Sequence, residues 1–254
     1  MIIDEARRLG LAELREISDA PELDTTRLLL HVLGQPESSY LLAHGGDVVT
    51  ADQAEKFKEL LAERKTGKPL AYILGVAEFY GRDFVVTPDV LIPRPETEGL
   101  VVKALEIMEK MSQEKPGQLT VADIGTGSGC IAITLALQSP TLRIIATDIS
   151  AKALEIAKEN AIRHGVLDKI EWLQGDLLEP LEGKKIDLIV SNPPYVPTQE
   201  LDQSPTPETR GLRFEPRMAL DGGEDGLRFV NKIKEFGVPA VLESLNGEII
   251  TVNF

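Results

Sequence analysis

The chain of 254 residues is long enough for one large domain or two smaller ones. Its 43% hydrophobic and 27% charged residues suit a buried core, and its formal charge of −14 disfavours a free-standing nucleic-acid binder driven by counterion release. The single cysteine, Cys130, excludes an intrachain disulfide, and no apolar run reaches the roughly 18 residues of a membrane span. Met1-Ile2-Ile3-Asp4-Glu5 lacks the basic start and apolar core of a signal peptide. A reducing, cytoplasmic location is expected.

Residues 1–75 read as a small helical bundle. Ala6, Leu9, Leu14 and Ile17 recur at helix spacing, and Ser18-Asp19-Ala20-Pro21 is a stop and restart. The next helix runs through Leu28-Leu29-Leu30 and ends at Gly34. A short segment follows at 39–43, then Thr50-x-x-Gln53 has the form of a capping box for a helix reaching Lys65. His31 and His44 have no Cys or acidic residue at metal-ligand spacing, so packing or surface roles are expected and no metal. The unit carries 9 Lys or Arg against 13 Asp or Glu, and a substrate-recognition role is expected of it.

Residues 76–95 form a hairpin and linker, from Glu78-Phe79-Tyr80-Gly81-Arg82-Asp83-Phe84 to Leu91-Ile92-Pro93-Arg94-Pro95-Glu96. Pro95 and the acidic Glu96 and Glu98 open a helix ending before Lys115-Pro116-Gly117. Arg94 and Glu96 are either linker residues or part of a site wall. The third expected domain is 96–254. From Leu119, strands and helices alternate as in a doubly wound parallel sheet. The strand 120–124 meets Gly125-Thr126-Gly127-Ser128-Gly129 and a helix from Cys130 to Gln138. The strand 143–147 ends in Asp148, and Ser150 caps a helix closed by Gly165. Strand 169–173 leads to Gly175-Asp176, and strand 186–191 delivers Asn192-Pro193-Pro194-Tyr195.

Ligands of open α/β sheets bind beyond the carboxyl ends of the strands, where these four corners converge. A glycine turn brings backbone N–H groups close to a ligand, and Asp148, 23 residues after Gly125, can accept both hydroxyls of a ribose. G-x-G-x-x-G fails at Cys130 and G-K-[ST] is missing, so dinucleotide and P-loop readings are disfavoured. Asp123 is a natural neighbour for a cationic ligand. Two prolines after Asn192 make a stiff corner. It is either a plain Pro-rich turn or a clamp for a flat –NH2 group. In the clamp, the Asn192 carboxamide oxygen and a proline carbonyl accept its two hydrogens while Tyr195 packs on its plane.

In this order the motifs resemble the class I S-adenosylmethionine-dependent methyltransferases, and N-P-P-Y narrows the likeness to enzymes acting on planar –NH2 groups. The N-terminal helices, Leu91–Glu98, Phe214-Glu215-Pro216, Ala219-Leu220-Asp221-Gly222-Gly223 and Asp225-Gly226-Leu227 resemble the peptide chain release factor glutamine methyltransferase family, also called PrmC or HemK. The resemblance spans about residues 5–250. It implies a Rossmann-like fold and S-adenosyl-L-methionine held by Asp123, Gly125, Thr126, Gly127, Ser128, Gly129, Asp148, Asp176, Leu177 and Asn192. It also implies that Asn192, Pro193, Pro194 and Tyr195 hold the glutamine of a release factor's Gly-Gly-Gln loop. The family often has an aromatic residue where Leu177 stands, which implies a weaker adenine contact.

Val196 to Glu224 is Pro-rich (Pro197, Pro205, Pro207, Pro216) and reads as a lid, a partner-binding loop or disorder, its Arg210, Arg213 and Arg217 either substrate contacts or solvated surface. His164, Trp172 and Cys130 are assigned to structure. Gly247–Val252 is expected as the fifth strand, with Thr251-Val252 where the family has an acidic residue. The family's further helix and antiparallel pair are not met in the given sequence, so this strand is expected to be an exposed apolar edge with a tendency to associate. Two other functions share these motifs: a nucleic-acid base amino-methyltransferase, and a cofactor-binding homologue with impaired turnover.

Overall fold

The computed structural model describes residues 1–114, 117–206 and 209–253; Lys115, Pro116, Pro207, Glu208 and Phe254 lie outside the described residues. The chain divides into two compact units, Met1–Gly75 with Pro205–Phe214, and Val76–Ser204 with Glu215–Phe254.

The first unit holds α1 (Ile3–Leu14), α2 (Pro21–Leu33), α3 (Ser38–Ala43), α4 (Ala51–Lys65) and α5 (Leu70–Leu74). Pro21 occupies the first turn of α2, where its missing N–H costs nothing, and Gly34 closes that helix in the left-handed region at φ 65°. At α4 the Gln53 amide N–H donates to Thr50 Oγ1 and the Thr50 N–H to Gln53 Oε1, completing the capping box. Leu14, Leu28, Leu29, Leu41 and Phe57 are fully buried between these helices. Arg64 Nε donates to Asp24 Oδ2 at 2.6 Å, pairing the two charges where both are largely removed from water. His44 stacks on Tyr40 and His31 is exposed. Arg213 donates to the Thr66 carbonyl and covers the Phe214 ring, so its charge is engaged within its own unit.

The second unit begins with the hairpin β1 (Val76–Phe79) and β2 (Arg82–Val85), then α6 (Glu96–Glu114). The α/β layer follows as β3 (Thr120–Ile124), α7 (Cys130–Gln138), β4 (Arg143–Asp148), α8 (Ala151–Arg163), β5 (Ile170–Gln174) and β6 (Leu188–Ser191). Beyond them lie β7 (Val196–Pro197), α9 (Thr198–Leu201), β8 (Asp221–Gly223), α10 (Arg228–Phe236), β9 (Ala240–Glu243) and β10 (Ile249–Val252). The large sheet has the order β10-β9-β6-β3-β4-β5, parallel except for β10. Alternate strand residues feed two cores. Val121, Ile144, Leu188 and Val241 pack with α6 and α7, while Ala122, Ile145, Ile189 and Leu242 pack with Val230 and Ile233 of α10.

Two expectations need correction. The fifth parallel strand is Ala240–Glu243, not Gly247–Val252. Ala240, Val241 and Leu242 are completely buried, a better match to a central strand than the half-exposed Ile249–Val252. The later segment turns back through Ser244–Gly247, where Gly247 sits at φ 72°, and pairs antiparallel with β9. β9 is therefore covered, and an acidic residue, Glu243, does stand at the end of the fifth strand. The Val196–Glu224 stretch is also more ordered than its composition suggests: β7 pairs with β8, and Arg217 bridges to Asp202 at 2.8 Å.

Candidate active site

The sheet order reverses between β3 and β6, and a cavity of about 290 Å³ opens beyond the carboxyl ends of β3, β4, β5 and β6. Its wall includes Gly125, Gly127, Asp148, Asp176, Leu177 and the run Asn192-Pro193-Pro194. Pro88–Leu91 from the linker and Pro216, Met218 and Ala219 from the later loop complete it. Gly125 and Gly127 of the expected turn, Asp148, the Asp176-Leu177 corner and Asn192-Pro193-Pro194 thus share one space.

The turn is built from inside. Gly125 and Thr126 N–H groups both donate to the Thr147 carbonyl at 2.9 Å, tying the end of β3 to β4. Gly129, at φ 81°, caps α7, and a Cβ there would stand 3.1 Å from Ala157 Cβ, so α8 packs directly on the turn. Asn160 of α8 is completely buried and serves two elements. Its Nδ2 donates to Ser128 O and Val85 O, and its Oδ1 accepts from the Val85 N–H at 2.7 Å.

Asp123 does not reach the cavity wall. It is fully buried behind the turn, where Oδ2 accepts from Thr126 Oγ1 at 2.6 Å and from the Ala132 N–H at 3.1 Å. Burial pushes its carboxyl up to about 7 against those hydrogen bonds. The expected contact with a cationic ligand is corrected to a structural role, since the side chain is turned inward. Thr126 and Ser128 are likewise buried inside the turn, and Gly129 is its helix cap; none of the three lines the cavity. Cys130 is buried beside them, its thiol pushed up to about 12, which makes it inert packing.

Asp148 Oδ2 accepts from the Gly127 N–H and Oδ1 from the Ser150 N–H, both at 2.9 Å. Each oxygen keeps a lone pair for a ligand. Burial raises its pKa and those backbone donors hold it down. Leu177 adopts φ 49°, a strained position for a side chain with a branched γ-carbon, and presents its apolar face at the cavity.

Asn192 Nδ2 donates to Thr97 Oγ1 at 3.0 Å, on the first turn of α6. Tyr195 is not among the residues that line this cavity; its hydroxyl donates to Glu243 Oε1 at 3.1 Å, which ties the ring to the end of β9. Burial and then Glu243 push the Tyr195 hydroxyl up to about 12, and burial raises Glu243. Gly226, at φ 75°, packs so closely on this corner that a Cβ would stand 2.3 Å from the Tyr195 carbonyl oxygen. Arg94 Nη2 donates to the buried Glu215 at 2.5 Å, and Glu215 also accepts from the Ile92 N–H, joining the linker to the Pro216–Ala219 wall. Glu96 packs against Gly247, away from the cavity lining.

The profile of the Methyltransferase small domain matches residues 104–208, and that of the PrmC N-terminal domain matches residues 5–75. The release factor glutamine methyltransferase of Bacillus subtilis (strain 168) is 44% identical over 236 residues, covering 92% of this chain and 77% of its own length. The chain belongs to the release factor glutamine methyltransferase family. The Bacillus anthracis relative of the same name is 42% identical, with 85% of this chain and 74% of the relative covered. Among solved structures, the hMettl16 catalytic domain in complex with MAT2A 3′UTR hairpin 6 superposes with a TM-score of 0.50 at 17% identity, over 84% of this chain and 80% of that one. That likeness is one of fold.

As a member of the release factor glutamine methyltransferase family, the chain calls for S-adenosylmethionine, and its residues fit that group. An added Cβ at Gly125 or Gly127 would meet nothing within 4 Å, so the turn's backbone faces open space at the cavity wall. Asp148 supplies the acceptors for a ribose, and Ile149 and Leu177 supply apolar surface for a base. Thr97, Glu243, Asn160 and Glu215 escaped the sequence reading. Glu215 and Thr97 had a signal, their places in Phe214-Glu215-Pro216 and Leu91–Glu98. Among the described residues no cluster of His, Cys, Asp or Glu can hold a metal, and no helix is long and apolar enough to cross a membrane.

Proposed function

We propose that this protein transfers the methyl group of S-adenosylmethionine to the side-chain amide nitrogen of the glutamine in the Gly-Gly-Gln loop of peptide chain release factors. The observation that carries this is the meeting of Asp148, the Gly125–Gly127 turn and Asn192-Pro193-Pro194 around one cavity in a chain of this family. The cofactor supplies an electrophilic methyl group on a sulfonium. Gly125, Gly127, Asp148 and Leu177 hold and orient it. Asn192 Oδ1 and the Pro193 carbonyl accept the two hydrogens of the target amide and aim its nitrogen along the methyl–sulfur axis. A primary amide nitrogen is a poor nucleophile, so alignment and stabilisation of the charge building on it carry the rate. No strong base is needed: the proton would turn acidic only as the C–N bond forms and the methyl–sulfur bond breaks, and it would pass to water while S-adenosylhomocysteine leaves as the second product.

Residues 1–75 act as the release factor recognition domain, 76–95 as hairpin and linker, and 96–254 as the transferase domain. The acidic balance of residues 1–75 argues against a nucleic-acid substrate, and a release factor substrate together with this chain's single free cysteine, Cys130, is consistent with the cytoplasm. The test is transfer of label from S-adenosylmethionine to unmethylated release factor offered beside DNA and RNA, with Asn192→Ala as control. Label on the loop glutamine that disappears in Asn192→Ala is the expected result. Label on nucleic acid would overturn the substrate, and cofactor binding without any transfer would overturn the activity.

A further inference from the structure

Two walls of the cavity do not come from strand ends: Pro88–Leu91 of the linker, and Pro216, Met218 and Ala219 of the loop before β8. The first is held by α8. Asn160 binds Val85 of the hairpin that leads into it, and Lys152 Nζ reaches Asp89 Oδ1 at 3.0 Å. The second is a single turn whose hydrogen bonds close on itself. The Ala219 N–H donates to the Pro216 carbonyl at 2.9 Å and the Leu220 N–H to that of Arg217 at 3.0 Å. Met218 in this turn is 57% exposed, and the Arg217–Asp202 pair lies at the surface, where an ion pair holds little.

Glu215 joins the two walls. It is 7% exposed, and both its oxygens are taken by the segment that follows the first wall: Oε1 accepts from Arg94 Nη2 at 2.5 Å and Oε2 from the Ile92 N–H at 3.2 Å. A buried ion pair adds little net stability over apolar packing, so its contribution here is geometric. Two donors arriving from different atoms of the linker fix both ends of the carboxyl group. Pro93 stiffens the link between those donors, and Pro216, at φ −65°, follows the acceptor directly. A shift of Glu215 therefore passes to the turn that lines the cavity. We propose that Glu215, pinned by Arg94 and Ile92, is the positioning residue that sets the Pro216–Ala219 wall against S-adenosylmethionine. This rests on the reading of the cavity as the cofactor's site.

Calorimetry with S-adenosylhomocysteine measures Kd in wild type, Glu215→Gln, Arg94→Ala, Arg94→Lys and Asp148→Ala, and methyl transfer to unmethylated release factor gives the cofactor KM and kcat. Glutamine keeps the shape of Glu215 but turns an –NH2 toward one of its two donors. Arg94 uses one nitrogen in this contact, so lysine can stand in for it. The expected Kd is about tenfold weaker in Glu215→Gln and Arg94→Ala, with most of the affinity restored in Arg94→Lys. The cofactor KM is expected to rise more than kcat falls. A role in stability alone would lower the urea midpoint and leave the Kd of the folded protein at its wild-type value. That result overturns the proposal, as do equal losses in Arg94→Lys and Arg94→Ala. If Arg94→Ala fails to fold, Glu215→Gln decides alone, and wild-type affinity in it overturns the assignment. Unchanged affinity in Asp148→Ala would instead defeat the reading of the cavity itself, whatever Glu215 does.

Discussion

The Tyr195 hydroxyl donates to Glu243 Oε1 across 3.1 Å, joining the N-P-P-Y corner to the end of the neighbouring strand. Glu243 is 1% exposed and its Oε2 has no hydrogen-bond partner among the described residues, so Tyr195 carries much of the solvation of that carboxyl. Tyr195→Phe removes the donor and keeps the ring. The expected loss is about 1–2 kcal/mol of folding stability, read by urea denaturation. A variant as stable as wild type would show that this hydrogen bond contributes nothing net.

Asp148 offers the cavity two oxygens, each already fixed by one backbone N–H. Two charge-assisted bonds to ribose hydroxyls are worth at least about tenfold each in affinity. Asp148→Ala is therefore expected to weaken S-adenosylhomocysteine binding by about 100-fold in calorimetry. Unchanged affinity would remove Asp148 from the cofactor site.

Asn160 links the hairpin to the glycine turn through three hydrogen bonds made in complete burial. Asn160→Ala strands the Val85 N–H and carbonyl and the Ser128 carbonyl together. The expected cost is about 3–4 kcal/mol, among the larger values for a single substitution. Chemical denaturation measures it, and a loss near zero would mean that water replaces the side chain.

Local signals were legible and distant pairings were not. The helix Cys130–Gln138 and the strand Thr120–Ile124 start and stop where the glycine turn says they should, and Thr50 caps α4 as its box requires. Phe229, Val230, Ile233 and Phe236 form a helical stripe that could have located α10. By contrast, Ala240–Glu243 is a four-residue strand of three apolar residues and an acid, with no period to read, and Ile249–Val252 is equally β-prone. Thr97 lies 95 residues from Asn192 and Glu243 lies 48 from Tyr195, so their contacts arise only when β6 is set between β3 and β9. Asp123 was visible as an acid at the right place, but not the inward turn of its side chain.

That inward turn makes stability depend on pH. An acid whose pKa is raised by folding binds its proton more tightly in the folded chain, so its favourable contribution is complete below the unfolded value and is lost as pH rises toward the folded one. For Asp123 the window runs from 3.8 to about 7. At about 1.4 kcal/mol per unit this corresponds to roughly 4 kcal/mol. Asp148 and Glu243, also raised by burial, act in the same direction. Glu171 and Asp221, lowered by their partners, act in the other and are screened by solvent. Asp123→Asn keeps an oxygen for the Thr126 hydroxyl and the Ala132 N–H but cannot ionise. Its stability relative to wild type is expected to improve by a few kcal/mol between about pH 4 and about pH 7.5, read from urea denaturation across that range. Parallel stability curves for the two proteins would mean that Asp123 titrates at its ordinary value despite its burial.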